Sequence, residues 1–224
     1  MTRETGLRYS TILFDFDGTI TDSLPLWLAA YQTALEKYGL KMNAEEVIRT
    51  CFYKPWKEIV DQFDLPCELE FGGYVHDTLE EVFAEAELFE GVADVMEQIC
   101  KRGIKLGIVT SSVRPVVDKF LDRHGLADYF GVVITADDIV NFKPHPEPLL
   151  KALAALDGKI AETVLIGDSN VDMLTAKNAG TDKGLFFPEV HHQYYDFEEL
   201  KAHEPHIVFH SYKELSSRFF PPVS

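Results

Sequence analysis

Six short apolar runs, residues 11–15, 104–110, 131–135, 163–168, 184–187 and 206–209, recur along the chain, each bounded by turn residues. Several are apolar at consecutive positions rather than at alternate ones, the pattern of strands covered on both faces. Between them, residues 92–101, 113–124, 146–156, 170–178 and 196–202 place apolar side chains at helical spacing. Alternating strands and helices predict an α/β fold, a Rossmann-like parallel sheet with right-handed crossovers. Gly103 and Gly180 stand where two of the helices have to stop.

One interval breaks the alternation. From Ser23 to Glu87 only helical patterns occur, over residues 24–38, 44–49, 55–63 and 69–86. The expected organisation is an α/β core built from residues 1–22 and 88–224, with an all-helical cap domain, 23–87, inserted after the first strand. No internal repeat or low-complexity segment interrupts it, and residues 219–224 are expected to fray.

Composition narrows the partners. With 46% hydrophobic residues the chain has enough apolar material for a real core, and a formal net charge of -16 repels nucleic acid and anionic membrane surfaces. A phosphate-bearing ligand must then be held by local cations. Cys51, Cys67 and Cys100 form no CxxC pattern, which favours reduced thiols in a reducing compartment. The first ten residues lack an apolar signal core, and no stretch approaches the ~18 apolar residues of a membrane span. The expectation is a cytoplasmic protein, a monomer or weak homodimer.

In an open parallel sheet, ligands gather beyond the carboxyl ends of the strands. The residues ending the runs there are Asp15, Thr110 and Asp168, with Lys143 on the loop after residue 135. In "ILFDFDGTITDS", Asp15 and Asp17 lie two apart, so extended geometry sends both carboxylates to one side. Their repulsion would be relieved by Mg2+, which takes oxygen ligands and needs only one or two carboxylates. An Asp-Gly turn is the plainer reading of Asp17 and Gly18. "LIGDSNVDM" ends a second strand at Asp168, with Asp172 one helical turn on; helix capping is the alternative for both. "NFKPHPEP" sets Lys143 before a proline, out of helical geometry and able to offer a fixed ammonium, or simply a solvated one. "GIVTSS" brings Thr110, Ser111 and Ser112 to a strand-helix junction suited to an anion or to an ordinary cap.

The ordered set D-x-D-G-T, strand-end Thr/Ser, Lys-Pro and G-D-S-x-x-D resembles the haloacid dehalogenase superfamily of phosphohydrolases, and the helical insertion resembles the cap of its phosphoglycolate phosphatase and β-phosphoglucomutase-like branch. The resemblance spans residues 10–190. It implies a Mg2+-dependent phosphatase acting on a small phosphorylated metabolite, with Asp15 as nucleophile and Asp17 as general acid and base. It also implies that Thr110 and Ser111 bind phosphate, that Lys143 holds the nucleophile and the transferring group, and that Asp15, Asp17 and Asp168 hold the metal. Asp172 would orient Lys143 or bound water.

Two departures bear on the reaction. Trp27 stands where the mutases of this branch carry a cap-entry histidine, which favours hydrolysis over phosphosugar mutation. "FPEVHHQYYDFEEL" replaces an expected short glycine-rich loop; His191 and His192 read better as surface residues than as a second metal site. In the cap, Phe52, Tyr53 and Trp56 surround Lys54, which either meets an anionic substrate or is solvated beside cap-core aromatics. A non-catalytic phospho-receiver or binding protein is the competing class; the insertion and the second pair of aspartates argue against it.

Overall fold

The computed structural model describes residues 8–220. Six strands, β1 (Thr11–Phe14), β2 (Lys105–Val109), β3 (Val132–Ile134), β4 (Thr163–Gly167), β5 (Asp182–Phe186) and β6 (Ile207–Phe209), form one parallel sheet in the order β3-β2-β1-β4-β5-β6. The helices are α1 (Leu24–Lys37), α2 (Ala44–Cys51), α3 (Trp56–Phe63), α4 (Glu68–Val82), α5 (Val92–Lys101), α6 (Arg114–His124), α7 (Glu147–Leu156), α8 (Asn170–Ala179), α9 (Phe197–Lys201) and α10 (Tyr212–Phe219).

Every residue of β1 and β4 is buried, as their unbroken apolar runs require. On one face Leu13, Val109, Ile134 and Leu165 pack against Leu149, Ala152, Leu153 and Leu156 of α7 and Ala176 and Ala179 of α8. Side chains alternate across the sheet, so Phe14 lies on the other face, where Tyr212 of α10 stacks on it with ring centroids 6.5 Å apart and meets Phe186 at a tilt, 5.1 Å away.

Two outcomes differ from the sequence reading. β5 begins at Asp182, two residues early, because its polar start is partnered at long range: Tyr9 donates to Asp182 at 2.6 Å, and the Lys183 N–H to His206 Nδ1 at 3.1 Å. Phe219, expected in a frayed tail, closes α10 with its side chain buried, and Ser211 caps that helix by accepting from the Glu214 N–H. The remainder of that tail, 221–224, lies outside the described residues.

The strand order decides where chemistry collects. The chain steps outward from β1 to β2 to β3, then returns to place β4 on the opposite side of β1. The carboxyl ends of β1 and β4 therefore flank a topological switch point, where neighbouring crossovers diverge and leave a crevice.

The chain divides into two compact units, Asp22–Glu87 and the remainder. The first contains α1 to α4 and no strand. Its core joins α1 to α4 through Tyr31, Ala34 and Leu35 on one helix and Phe71, Val75 and Leu79 on the other, all buried. Trp56 lies over Gly72: a Cβ built there would sit 1.8 Å from the indole ring. Alanine favours a helix over glycine by about 1 kcal/mol, but displacing a packed indole costs about 1–3 kcal/mol. Gly72→Ala should therefore lower stability despite the better helix former, with a blue- or red-shifted Trp fluorescence in the folded state; denaturant titration followed by fluorescence checks both.

Candidate active site

Asp15 leaves β1 still paired to the sheet, its N–H donating to the Ile166 carbonyl at 2.8 Å. The chain then turns: Ile20 and Thr21 return their N–H groups to the Phe16 carbonyl, and Gly18, at φ 70°, takes a left-handed conformation that suits a residue without a Cβ. On β4, Asp168 follows Gly167, and α8 starts at once with a reciprocal cap. The Ser169 hydroxyl accepts from the Asp172 N–H, and the Asp172 carboxylate accepts from the Ser169 N–H and hydroxyl, the latter at 2.5 Å.

Lys143 comes from the long loop between β3 and α7, which is tied down at both sides. The Glu147 carboxylate accepts from the N–H groups of Val140 and Asn141 and from the Asn141 side-chain amide, at 3.0, 3.0 and 2.7 Å. Those bonds, with the Val140 N–H foremost, push the Glu147 carboxyl down to about 2. Asn178 on α8 holds the Pro144 carbonyl at 2.9 Å.

These pieces meet in one buried cluster. The Lys143 ammonium, 5% exposed, lies 2.8 Å from Asp15 Oδ1 and donates to Asp172 Oδ1 at 2.7 Å. Asp172 thus uses separate oxygens, Oδ2 accepting at the start of α8 and Oδ1 accepting from the lysine. Carboxylate oxygens of Asp15, Asp168 and Asp172 all lie within 4.8 Å of one another. Asp168 itself accepts from the Thr19 hydroxyl at 3.1 Å through Oδ1 and from the Tyr195 hydroxyl at 2.6 Å through Oδ2.

The electrostatics follow from burial. Three buried carboxylates against one buried ammonium leave two negative charges if all are ionised, the charge that one divalent cation cancels. Without such a cation, desolvation first and the Asp172 charge second raise the Asp15 carboxyl above its ordinary range, with Lys143 opposing. Asp168 is raised likewise by burial, then by Asp172 and Asp15. Burial works against the Lys143 ammonium, yet the charges of Asp15 and Asp172 outweigh it and hold the group above the usual lysine range. An oxygen-only, net-negative carboxylate cluster is a chemical fit for Mg2+.

Asp15 has carboxylate neighbours beyond the Asp17 that local spacing suggests, although the Asp17 charge does act on it. The chain leaves β1 at Phe14, so the two-residue rule of extended strands stops applying before Asp17. The carboxylates grouped with Asp15 are those of Asp168 and Asp172, while the Asp17 carboxylate accepts from the Ser112 hydroxyl at 2.5 Å. Thr110 is buried and its hydroxyl accepts from the Ser112 N–H at 3.0 Å, whereas Ser111 is exposed. Ser112 is thus the residue of "TSS" that links the end of β2 to Asp17. Lys54 lies between α2 and α3 of the helical unit, partly buried, where Trp56 packs on Gly72 and Tyr31 packs on Phe52. His192 is exposed, but His191 is wholly buried, which overturns the surface reading for that residue.

Gly18 also serves Asp168 directly. A Cβ at Gly18 would lie 2.4 Å from Asp168 Oδ2, and the positive φ adds backbone strain of order 1–2 kcal/mol for any L side chain. Gly18→Ala is expected to displace the Asp168 carboxylate and to reduce activity at least tenfold while costing about 1–3 kcal/mol of stability; steady-state kinetics beside a denaturation curve would show both.

A carboxylate cluster clamped by a buried lysine, at the switch point of a parallel sheet, defines a phosphate-handling α/β hydrolase. The chain belongs to the haloacid dehalogenase-like hydrolases, whose family profile matches residues 12–185, and it is a phosphatase of that family. It is 32% identical over 182 residues to a protein named pyrophosphatase PpaX from Bacillus mycoides, covering 78% of this chain and 82% of that one. To the PpaX of Anoxybacillus flavithermus it is 31% identical over 218 residues, covering 94% and 97%. Among solved structures, a provisionally named phosphoglycolate phosphatase of Lactobacillus plantarum superposes with a TM-score of 0.80 at 25% identity, over 94% of this chain and 99% of that one. A haloacid dehalogenase-like hydrolase of Bacteroides fragilis, also provisionally named, gives 0.80 at 25% identity over 92% and 99%. No helix among the described residues is long and apolar enough to cross a membrane.

Proposed function

We propose that this protein is a Mg2+-dependent phosphatase that hydrolyses a small phosphorylated metabolite through an aspartyl phosphate on Asp15. The observation that carries this reading is the buried Lys143 ammonium bridging Asp15 and Asp172 beside Asp168, a cluster that is balanced by one divalent cation. Asp15 and Asp168 would hold the metal, with Asp17 at the edge of the group, and the ion would supply charge neutralisation for the phosphoryl oxygens.

The residues then divide the work. Lys143 orients the Asp15 carboxylate and offsets its repulsion from an anionic substrate. An Asp15 oxygen forms a bond to phosphorus as the bond to the leaving oxygen breaks, and Asp17 gives that oxygen its proton. Water next attacks the phosphorus, Asp17 takes the water's proton, and phosphate departs as the Asp15 carboxylate is restored. Ser112, donating to Asp17 Oδ2, fixes the acid's orientation for both steps.

The names of the relatives at 31–32% identity put pyrophosphate first among the substrates, ahead of phosphoglycolate and sugar phosphates. The test is phosphate release from pyrophosphate, an aryl phosphate and a phosphorylated-metabolite panel, with Mg2+ and with EDTA. Turnover in Mg2+ is expected, with at least a hundredfold loss in EDTA; equal rates in both would overturn the metal-dependent reading.

A further inference from the structure

The segment after β5 reads "FPEVHHQYYDFEEL", and its structure is a tethered turn that reaches into the active site. Glu189–Gln193 form one 3-10 turn, opened by the His191 N–H on the Pro188 carbonyl at 2.9 Å. The His191 carbonyl then accepts from the N–H groups of both Tyr194 and Tyr195, at 2.9 and 3.0 Å. Downstream, Asp196 caps α9 by accepting from the Glu198 and Glu199 N–H groups, and Leu200 is buried with Met173, Leu185 and Phe187. Tyr195 is thereby fixed on both sides.

The anchor is His191. Its ring has no exposure and lies edge-on among Phe89, Phe186, Phe187 and Tyr195, with centroids 5.7–6.0 Å away, and neither ring nitrogen has a hydrogen-bond partner among the described residues. Burial pushes the imidazole down to about 3, so the ring remains neutral and acts as an aromatic plug. The turn thus delivers the Tyr195 hydroxyl to Asp168 Oδ2, opposite the Thr19 hydroxyl on Oδ1.

We infer that Tyr195 is a positioning residue for Asp168 that sets this protein's affinity for its divalent cation, with His191 anchoring the turn that carries it. The inference rests on the metal-dependent reading above. A carboxylate gripped through both oxygens has one rotamer, so little freedom is lost when one oxygen turns to a metal, and outer hydrogen bonds of this kind change metal affinity about 10- to 100-fold. Tyr195→Phe removes one hydroxyl and keeps the ring packed on His191.

The test is calorimetric titration of the metal-free protein with Mg2+ alone. Wild type should bind saturably, and Tyr195→Phe should show a dissociation constant raised about tenfold or more while staying folded in EDTA, with a modestly lower melting temperature because the buried Asp168 Oδ2 loses its donor. His191→Ala should weaken binding as well, and the double variant should be no weaker than the worse single one, since both act through the same hydroxyl. Equal Mg2+ affinity in wild type and Tyr195→Phe overturns the role of Tyr195 and leaves the phosphatase reading intact. No saturable binding to wild type overturns the metal reading and this inference together.

Discussion

Asp15→Asn is expected to lower turnover by about 10^4-fold or more, the scale seen when a nucleophile is removed, and at the same time to stabilise the metal-free protein at alkaline pH. The first effect follows from the amide, which cannot form the aspartyl phosphate; no phosphorylated protein should be trapped after mixing with substrate and acid quenching. The second follows from burial. The Asp15 carboxyl is pushed up to about 8 by desolvation and the Asp172 charge, above its unfolded value near 4. A group raised on folding contributes its stability fully below the unfolded value and loses it as pH rises through the folded one. Wild type without metal should therefore lose stability as pH rises from about 4 towards 8 on account of this group. Asp15→Asn lacks that loss, so the two proteins should match near pH 4 and diverge upward, and saturating Mg2+ should close the gap. Urea titrations in EDTA at several pH values check the divergence. Equal slopes would show that Asp15 is already ionised in the metal-free fold.

A site in which the reactive carboxylate weakens the metal-free protein also explains which parts of it the sequence made legible. β1 and β4 were readable because strands covered on both faces are apolar at every position, and the parallel order then made their terminal residues the place to look. Lys143, Asp168 and Asp172 stood out for that reason. Strand-end reading gives their common location; the close approach of the carboxylate oxygens, within 4.8 Å of one another, comes from sheet pairing between β1 and β4. Local spacing adds Asp17, whose charge acts on Asp15 although the chain has already left the strand there. α10 was hidden because six of its eight residues are charged or carry hydroxyls, and its Tyr212 is buried against Phe14, Phe186 and Phe209. The adjacent His191 and His192 are alike as letters, yet the 3-10 turn sends one into an aromatic cage and leaves the other in water. Tyr195 belongs to none of the four motifs and meets Asp168 across 27 residues, a contact that no local pattern encodes.

Lys143→Met tests the other half of the charge balance. The methionine fills similar volume, so the expected change isolates the ammonium: two carboxylates that shared it, Asp15 at 2.8 Å and Asp172 at 2.7 Å, are left facing each other in a dry site. Removing one partner of a buried pair costs about 3–5 kcal/mol, because the remaining charge has no water to solvate it. Protonation of Asp15, which burial already favours, offers an escape, so the cost should be larger at pH 8 than at pH 5 in EDTA. Mg2+ should restore part of the lost stability, since the cluster would still hold oxygen ligands for it, but not the activity, since nothing then orients Asp15 or shields it from an anionic substrate. Lys143→Arg should not rescue turnover either: a planar guanidinium is wider than an ammonium and cannot take the same point between two oxygens under 3 Å away. Denaturant curves at the two pH values, with and without Mg2+, separate these contributions. A Lys143→Met protein as stable as wild type at pH 8 would mean that the ammonium does not stabilise a charged Asp15 in the fold, and the lysine would then matter for orientation alone.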